Sequence, residues 1–214
     1  TAVVALLVLL AALADRWSII GRVPLTKPRA VLIDRASELR RTFGYTEPIG
    51  DSASGYYFDT QYLTWVARQR PTPEKWNSLA IGRPAAVGFW YRASPVTLEP
   101  YNQTAQVSTG DPPLVTRGSV RIDLAPGGRL LIFRAVPSLK TAALPTPVSW
   151  DELFKAAGLD RSQFAEGEPG VLPRAYADDW KSWRGAFPDP PEVKIRVEAA
   201  AYRGRPTMFE VLGS

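Results

Sequence analysis

The run GSVRIDLAPGGRLLIFRAV, residues 118–136, decides the fold class of this chain. Val120, Ile122 and Leu124 alternate with Arg121 and Asp123, so one face of the run is apolar and the other charged, the period-two pattern of a half-buried strand. Pro126, Gly127 and Gly128 supply a turn, and RLLIFRAV gives the returning strand, so the stretch reads as a β-hairpin. Arg121, Arg129 and Arg134 lie on its strands and tip, a pattern that usually marks a solvated face.

Toward the C-terminus, PSLKTAALPTP (137–147) reads as a linker. Ser149 then stands as an N-cap for the helix WDELFKAAG, with Glu152 placed to complete a capping box and Gly158 to end it. YADDWKSW (176–183) reads as a second short helix, and residues 192–212 as a hairpin around Arg203, Gly204 and Arg205.

Toward the N-terminus, RAVLIDRASELRRTF (29–43) carries Val31, Leu32, Ala36, Leu39 and Phe43 on one helical face, and Gly44 follows as a C-cap. Residues 45–55 read as a loop, 56–66 as an aromatic strand leading into a short helix, 74–79 as a helical turn, 85–91 as a second aromatic strand and 94–113 as a long loop. Gly21, Pro24 and Pro28 make 18–28 a linker that no continuous helix can cross.

Ahead of that linker, TAVVALLVLLAALA (1–14) carries no charge and ends at Asp15, Arg16 and Trp17. A helix of that length reaches about 21 Å at 1.5 Å per residue, short of the roughly 30 Å hydrocarbon core. It is therefore a buried helix, a signal remnant or the tail of a spanning helix, and its all-round apolarity and Trp17 at an interfacial position favour the last. The anchor would consist of Val3, Val4, Leu6, Leu7, Leu9, Leu10 and Leu13, with Trp17 at the boundary. Because the chain starts with Thr, further residues are expected upstream.

The two halves read as copies. ELRRTFGYTEP from Glu38 answers ELFKAAGLDRS from Glu152, YYFDTQYLTW from Tyr56 answers RAYADDWKSW from Arg174, and RPAAVGFWYRASPVTLE from Arg83 answers EVKIRVEAAAYRGRPTMFE from Glu192. On that alignment the second copy lacks the hairpin at 117–136 and would continue past Ser214. The expected fold is α+β: an N-terminal membrane helix (1–17), a linker (18–28), a first helix-plus-antiparallel-sheet unit (29–137), a linker (138–147) and a related second unit (148–214).

Composition closes off much chemistry. The chain has no His and no Cys, so it holds no thiol nucleophile, no Ser-His-Asp triad and no zinc site built from the usual ligands. GDSASG (50–55) therefore reads as a polar turn rather than a hydrolase nucleophile, and Asp178 and Asp179, adjacent in sequence, do not make a catalytic pair. No metal, no cofactor and no enzymatic activity are expected of these residues. The net charge is +5, and Arg16, Arg22, Lys27, Arg29, Arg35, Arg40 and Arg41 crowd the segment after the apolar stretch, which suits lipid headgroups better than nucleic acid. Between residues 56 and 91 nine aromatic side chains gather, read first as core. As a ligand or partner surface, the candidates are Tyr57, Trp65, Trp90, Tyr91 and Arg92.

The succession LRRTFGYTEP, YYFDTQYLTWV, RPAAVGFWYRASP, GSVRIDLAPGGRLLIFRAVP, SWDELFKAAGLD and IRVEAAAYRGRP resembles the region that follows the kinase domain in a group of large bacterial membrane-bound serine/threonine protein kinases. The hairpin also resembles the strand pair of PepSY-type domains. The kinase resemblance runs from Pro28 to near the end of the chain and implies a non-catalytic, extracytoplasmic sensor or interaction module, with an upstream kinase domain and membrane lipid as partners. The alternative is a single-helix accessory or structural subunit of a larger membrane complex. The motifs of a kinase active site, including the Gly-rich phosphate loop and Asp-Phe-Gly, are absent from the sequence. The basic residues after the apolar stretch would by the positive-inside rule place the domain in the cytoplasm; the resemblance implies the opposite side, and that is the expectation adopted.

Overall fold

The computed structural model describes residues 19–69, 76–138, 148–170 and 177–213. The expected membrane anchor at 1–17 lies outside them, as does the linker beyond residue 138. No helix among the described residues is long and apolar enough to cross a membrane.

The hairpin forms as the alternation requires. Strands β3 (Val120–Leu124) and β4 (Leu130–Ala135) pair antiparallel, and Gly128 at φ +87° turns the chain between them. Around them stand α1 (Ile19–Arg22), α2 (Arg29–Thr42), β1 (Asp51–Phe58), α3 (Thr60–Arg68), α4 (Ser78–Ile81) and β2 (Val87–Ser94). The second half contributes α5 (Trp150–Ala156), a 3-10 turn (Arg161–Gln163), β5 (Ala165–Gly167), β6 (Asp179–Ala186), β7 (Lys194–Tyr202) and β8 (Arg205–Gly213).

All eight strands belong to one antiparallel sheet in the order β1-β2-β3-β4-β8-β7-β6-β5. Each half is thus a helix followed by a four-stranded meander, and the halves meet where β4 pairs with β8. This order corrects the internal alignment. The counterpart of β3–β4 is β7–β8, so the second half does contain that hairpin, and Val120-Arg121-Ile122-Asp123 answers Ile195-Arg196-Val197-Glu198.

One face of the sheet is apolar and covered by α2 and α5. Leu32, Ala36, Leu39 and Phe43 from the first helix segment, and Leu153 and Phe154 from α5, pack on Phe89, Tyr91, Val120, Ile122, Phe133, Trp183, Val197 and Phe209 in one cluster. Phe154 sits at its centre, edge-to-face with Phe164, Trp183 and Phe209 at 5.2, 5.2 and 5.6 Å between centroids. A smaller cluster of Val23, Val66, Leu79, Ala86 and Val87 lies beneath α3 and α4.

Four local expectations are corrected. Residues 179–183 form strand β6 rather than helix, because Trp183 must point to the core beside Trp150 and Phe154 while Ser182 points away to Glu198, and only an extended backbone sends neighbours to opposite faces. Residues 51–55 belong to β1 rather than a loop. Their small side chains let β2 come close, and a Cβ on Gly55 would meet Trp90 Nε1 at 2.9 Å. Val31 is exposed, not on the buried face of α2. Ser149 occupies the N-cap of α5 without making a side-chain capping bond.

Candidate functional site

Alternation along the strands assigns each side chain to a face. In β2, Phe89, Tyr91 and Ala93 point to the helices, whereas Gly88, Trp90, Arg92 and Ser94 point to the opposite, outer face. The register continues that outer face through Arg121 and Asp123 of β3, Arg134 of β4, Glu210 of β8, Arg196 and Glu198 of β7 and Ser182 of β6. The result is a row of charges across both halves.

Several members of the row are buried. Asp123, Arg92 and Glu198 are 0%, 1% and 1% exposed. Asp123 accepts two bonds from Arg121, at 2.8 Å from Nε and 2.5 Å from Nη2. Its other neighbour is Tyr57, whose hydroxyl is pushed well above its ordinary range, first by burial and then by the negative charge of Asp123. Burial opposes the charge on Arg121, but the bond and charge of Asp123 outweigh it and hold the guanidinium above its usual range. Arg92 is pushed the other way by burial and by the like charge of Arg121.

Loop residues close over this end of the row. Arg92 Nη1 donates to the Ser108 carbonyl and Arg121 Nη1 to that of Thr109, each at 2.9 Å, so two arginines hold the long loop after β2 across the face. The second half repeats the motif: Glu198 pairs with Arg196 at 3.0 Å and accepts from Ser182 Oγ and the Gly170 amide at 3.1 Å each. Between the halves Arg134 Nε donates to Glu210 Oε1 at 2.6 Å.

Of the five candidates from the sequence, the structure brings Tyr57, Trp90 and Arg92 together on the outer face. There Trp90 crosses Gly55 and Tyr57 crosses Gly88, with a Cβ on Gly88 placed 2.3 Å from the Tyr57 ring. These side chains are enclosed rather than open to solvent, apart from the partly exposed Tyr57. Tyr91 sits on the opposite face, its hydroxyl 3.5 Å from Ser37 Oγ. Trp65 is separate, 58% exposed on α3 and stacked on Tyr62 with centroids 6.1 Å apart. The solvated face expected for Arg121 and Arg134 is corrected, since the first pairs with buried Asp123 and the second with Glu210 in a largely covered row. Sequence reasoning did not single out Asp123, Arg196 and Glu198 as partners. The signal was present, since Arg-x-Asp and Arg-x-Glu inside alternating apolar runs place both charges of a pair on one strand face. Among the described residues no group of three metal-ligating side chains occurs.

The linker from the apolar stretch docks on the β3–β4 turn. Thr26 Oγ1 lies 3.5 Å from the Pro126 carbonyl, Lys27 Nζ lies 3.2 Å from the position of a Cβ on Gly128, and Pro24 lies against Gly82. From the same turn Arg129 Nη2 donates to the Gly82 carbonyl at 2.7 Å.

No family model, curated protein or solved structure matches this chain.

Proposed function

We propose that this chain is a non-catalytic, extracytoplasmic sensor or interaction module of a membrane-anchored signalling protein related to bacterial serine/threonine kinases. The observation that carries this reading is the docking of residues 23–27 on the β3–β4 turn, because that segment continues from the apolar stretch and the turn reaches the second half through Arg129 beside Gly158. A ligand or partner that shifts the turn against α5 displaces the tether. Relative movement of two packed units is a common way to carry a binding event toward a membrane.

The test is purification from native membranes through a tag at Ser214, followed by mass spectrometry of the intact polypeptide and its companions. A kinase domain in the same polypeptide, or a kinase held with it, supports the reading. A chain of this length held at fixed stoichiometry with other membrane proteins overturns it and leaves an accessory subunit.

A further inference from the structure

Two arginine side chains converge on the loop that follows α5. Gly158, at φ +66° after α5, has no side chain; a Cβ there would lie 3.1 Å from Arg129 Cδ and 3.4 Å from Arg83 Nη2. Arg129 comes from the β3–β4 turn and Arg83 from the segment before β2, so the first half presents both cations to one glycine of the second. Arg83 also lies 6.0 Å from the centroid of the Phe187 ring.

The pair is not neutralised. Among the described residues neither arginine has a carboxylate within ion-pair distance. The C-terminal end of α5 supplies at most about half a negative charge, so more than one of the two positive charges stands uncompensated. Burial, and then the like charge of Arg83, push Arg129 down to about 10. A third cation, Lys27, lies over the neighbouring Gly128. Holding like charges together in a half-buried place is unfavourable unless an anion joins them.

Beside Arg129 runs a groove of about 180 Å³ whose walls include Val23, Pro24, Ile81 and Ala85. It offers a mostly apolar surface next to the cations. A carboxylate would offset only one charge, whereas a phosphoryl group carries up to two and presents oxygens that two arginine forks can grip together.

We propose that Arg83 and Arg129 bind the phosphoryl group of a phosphate ester, whose apolar part lies along Val23, Pro24 and Ile81. The ester is either the headgroup of an anionic lipid or a soluble phosphate compound, since both present the same chemistry. The inference does not rest on the signalling reading and stands equally for an accessory subunit.

The test uses the full chain in zwitterionic detergent micelles, with the unfolding temperature read against inorganic phosphate at constant ionic strength set by chloride. Phosphate raises the unfolding temperature of the unaltered chain, and Arg83→Gln with Arg129→Gln abolishes the rise, whereas Arg41→Gln with Arg117→Gln, the same charge change at two exposed sites, keeps it. In the absence of phosphate Arg83→Gln alone raises the unfolding temperature, an effect that a purely structural arginine would not give. A second arm dopes the micelles with phosphatidylglycerol: a rise that depends on Arg83 and Arg129 identifies the lipid headgroup, and a rise confined to phosphate identifies a soluble ester. The proposal is overturned if neither phosphate nor phosphatidylglycerol stabilises the chain, or if the double variant responds as strongly as the unaltered chain.

Discussion

Tyr45 joins the two halves of the protein: its hydroxyl donates to the Pro206 carbonyl at 2.8 Å, across 161 positions of sequence. Tyr45 follows α2 and packs on Phe133, and Pro206 lies in β8, so the bond crosses the junction of the meanders inside the core.

Removing that donor leaves a buried carbonyl without it. Tyr45→Phe is expected to cost about 1–3 kcal/mol, the usual penalty for an unsatisfied buried polar group. A urea unfolding series with an unchanged midpoint would show that the bond contributes nothing.

Alkaline pH is expected to weaken the fold through the same residue and through Tyr57. Burial raises both hydroxyls above the ordinary value of 10.0. The folded state therefore holds these protons where the unfolded chain releases them. The stability is fully present below about pH 10 and declines as pH rises from there toward the folded values. Replacing both tyrosines by Phe should flatten stability against pH between about 9 and 11 relative to the unaltered chain; an equally steep decline in the variant would assign the effect elsewhere.

The crossing of Tyr57 over Gly88 predicts a specific rescue. Gly88→Ala puts a methyl group inside the tyrosine ring and should cost about 1–3 kcal/mol from overpacking. Combining it with Tyr57→Ala removes the clash, so the double variant should lose less than the two single losses added together. Strict additivity in a thermal or urea series would refute the contact.

The junction of the halves should open more readily than the β1–β2 ladder. Its ladder shows three register pairs, against eight between β1 and β2, and is braced by the Arg134–Glu210 ion pair. Hydrogen exchange is expected to release the amides of β4 and β8 that face each other before those of the β1–β2 ladder. A double-mutant cycle of Arg134→Ala and Glu210→Ala should give a coupling of about 1 kcal/mol that shrinks with added salt. Zero coupling would make the pair incidental.

Much of the fold is legible in local patterns. The hairpin at 118–136 declares itself because a strand buried on one face needs apolar side chains at every second position, and Val120, Ile122 and Leu124 provide them beside a Gly-Gly turn. Helix α2 declares itself because Leu32, Ala36 and Leu39 recur with the helical period. The same alternation puts Tyr57, Trp90 and Arg92 on one face once their strands are paired, and the Arg-x-Asp and Arg-x-Glu pairs of the outer row were equally readable.

Other features exist only through distant partners. Residues 179–186 carry tryptophans at a spacing that suits a helix, and they become β6 because β7 offers eight register partners and the core demands Trp183 on one side and Ser182 on the other. The run at 51–55 looks like a polar turn until Trp90 needs Gly55 beneath it. The burial of Arg92 under Ser108 and the convergence of Arg83 and Arg129 on Gly158 bring together segments that share no sequence pattern. Periodicity records which face of an element avoids water, and so the chain itself specified its hairpins and its main helix. Which faces meet, and which charges are left without a counter-ion, depends on packing between residues far apart in sequence, and only the assembled sheet settled those.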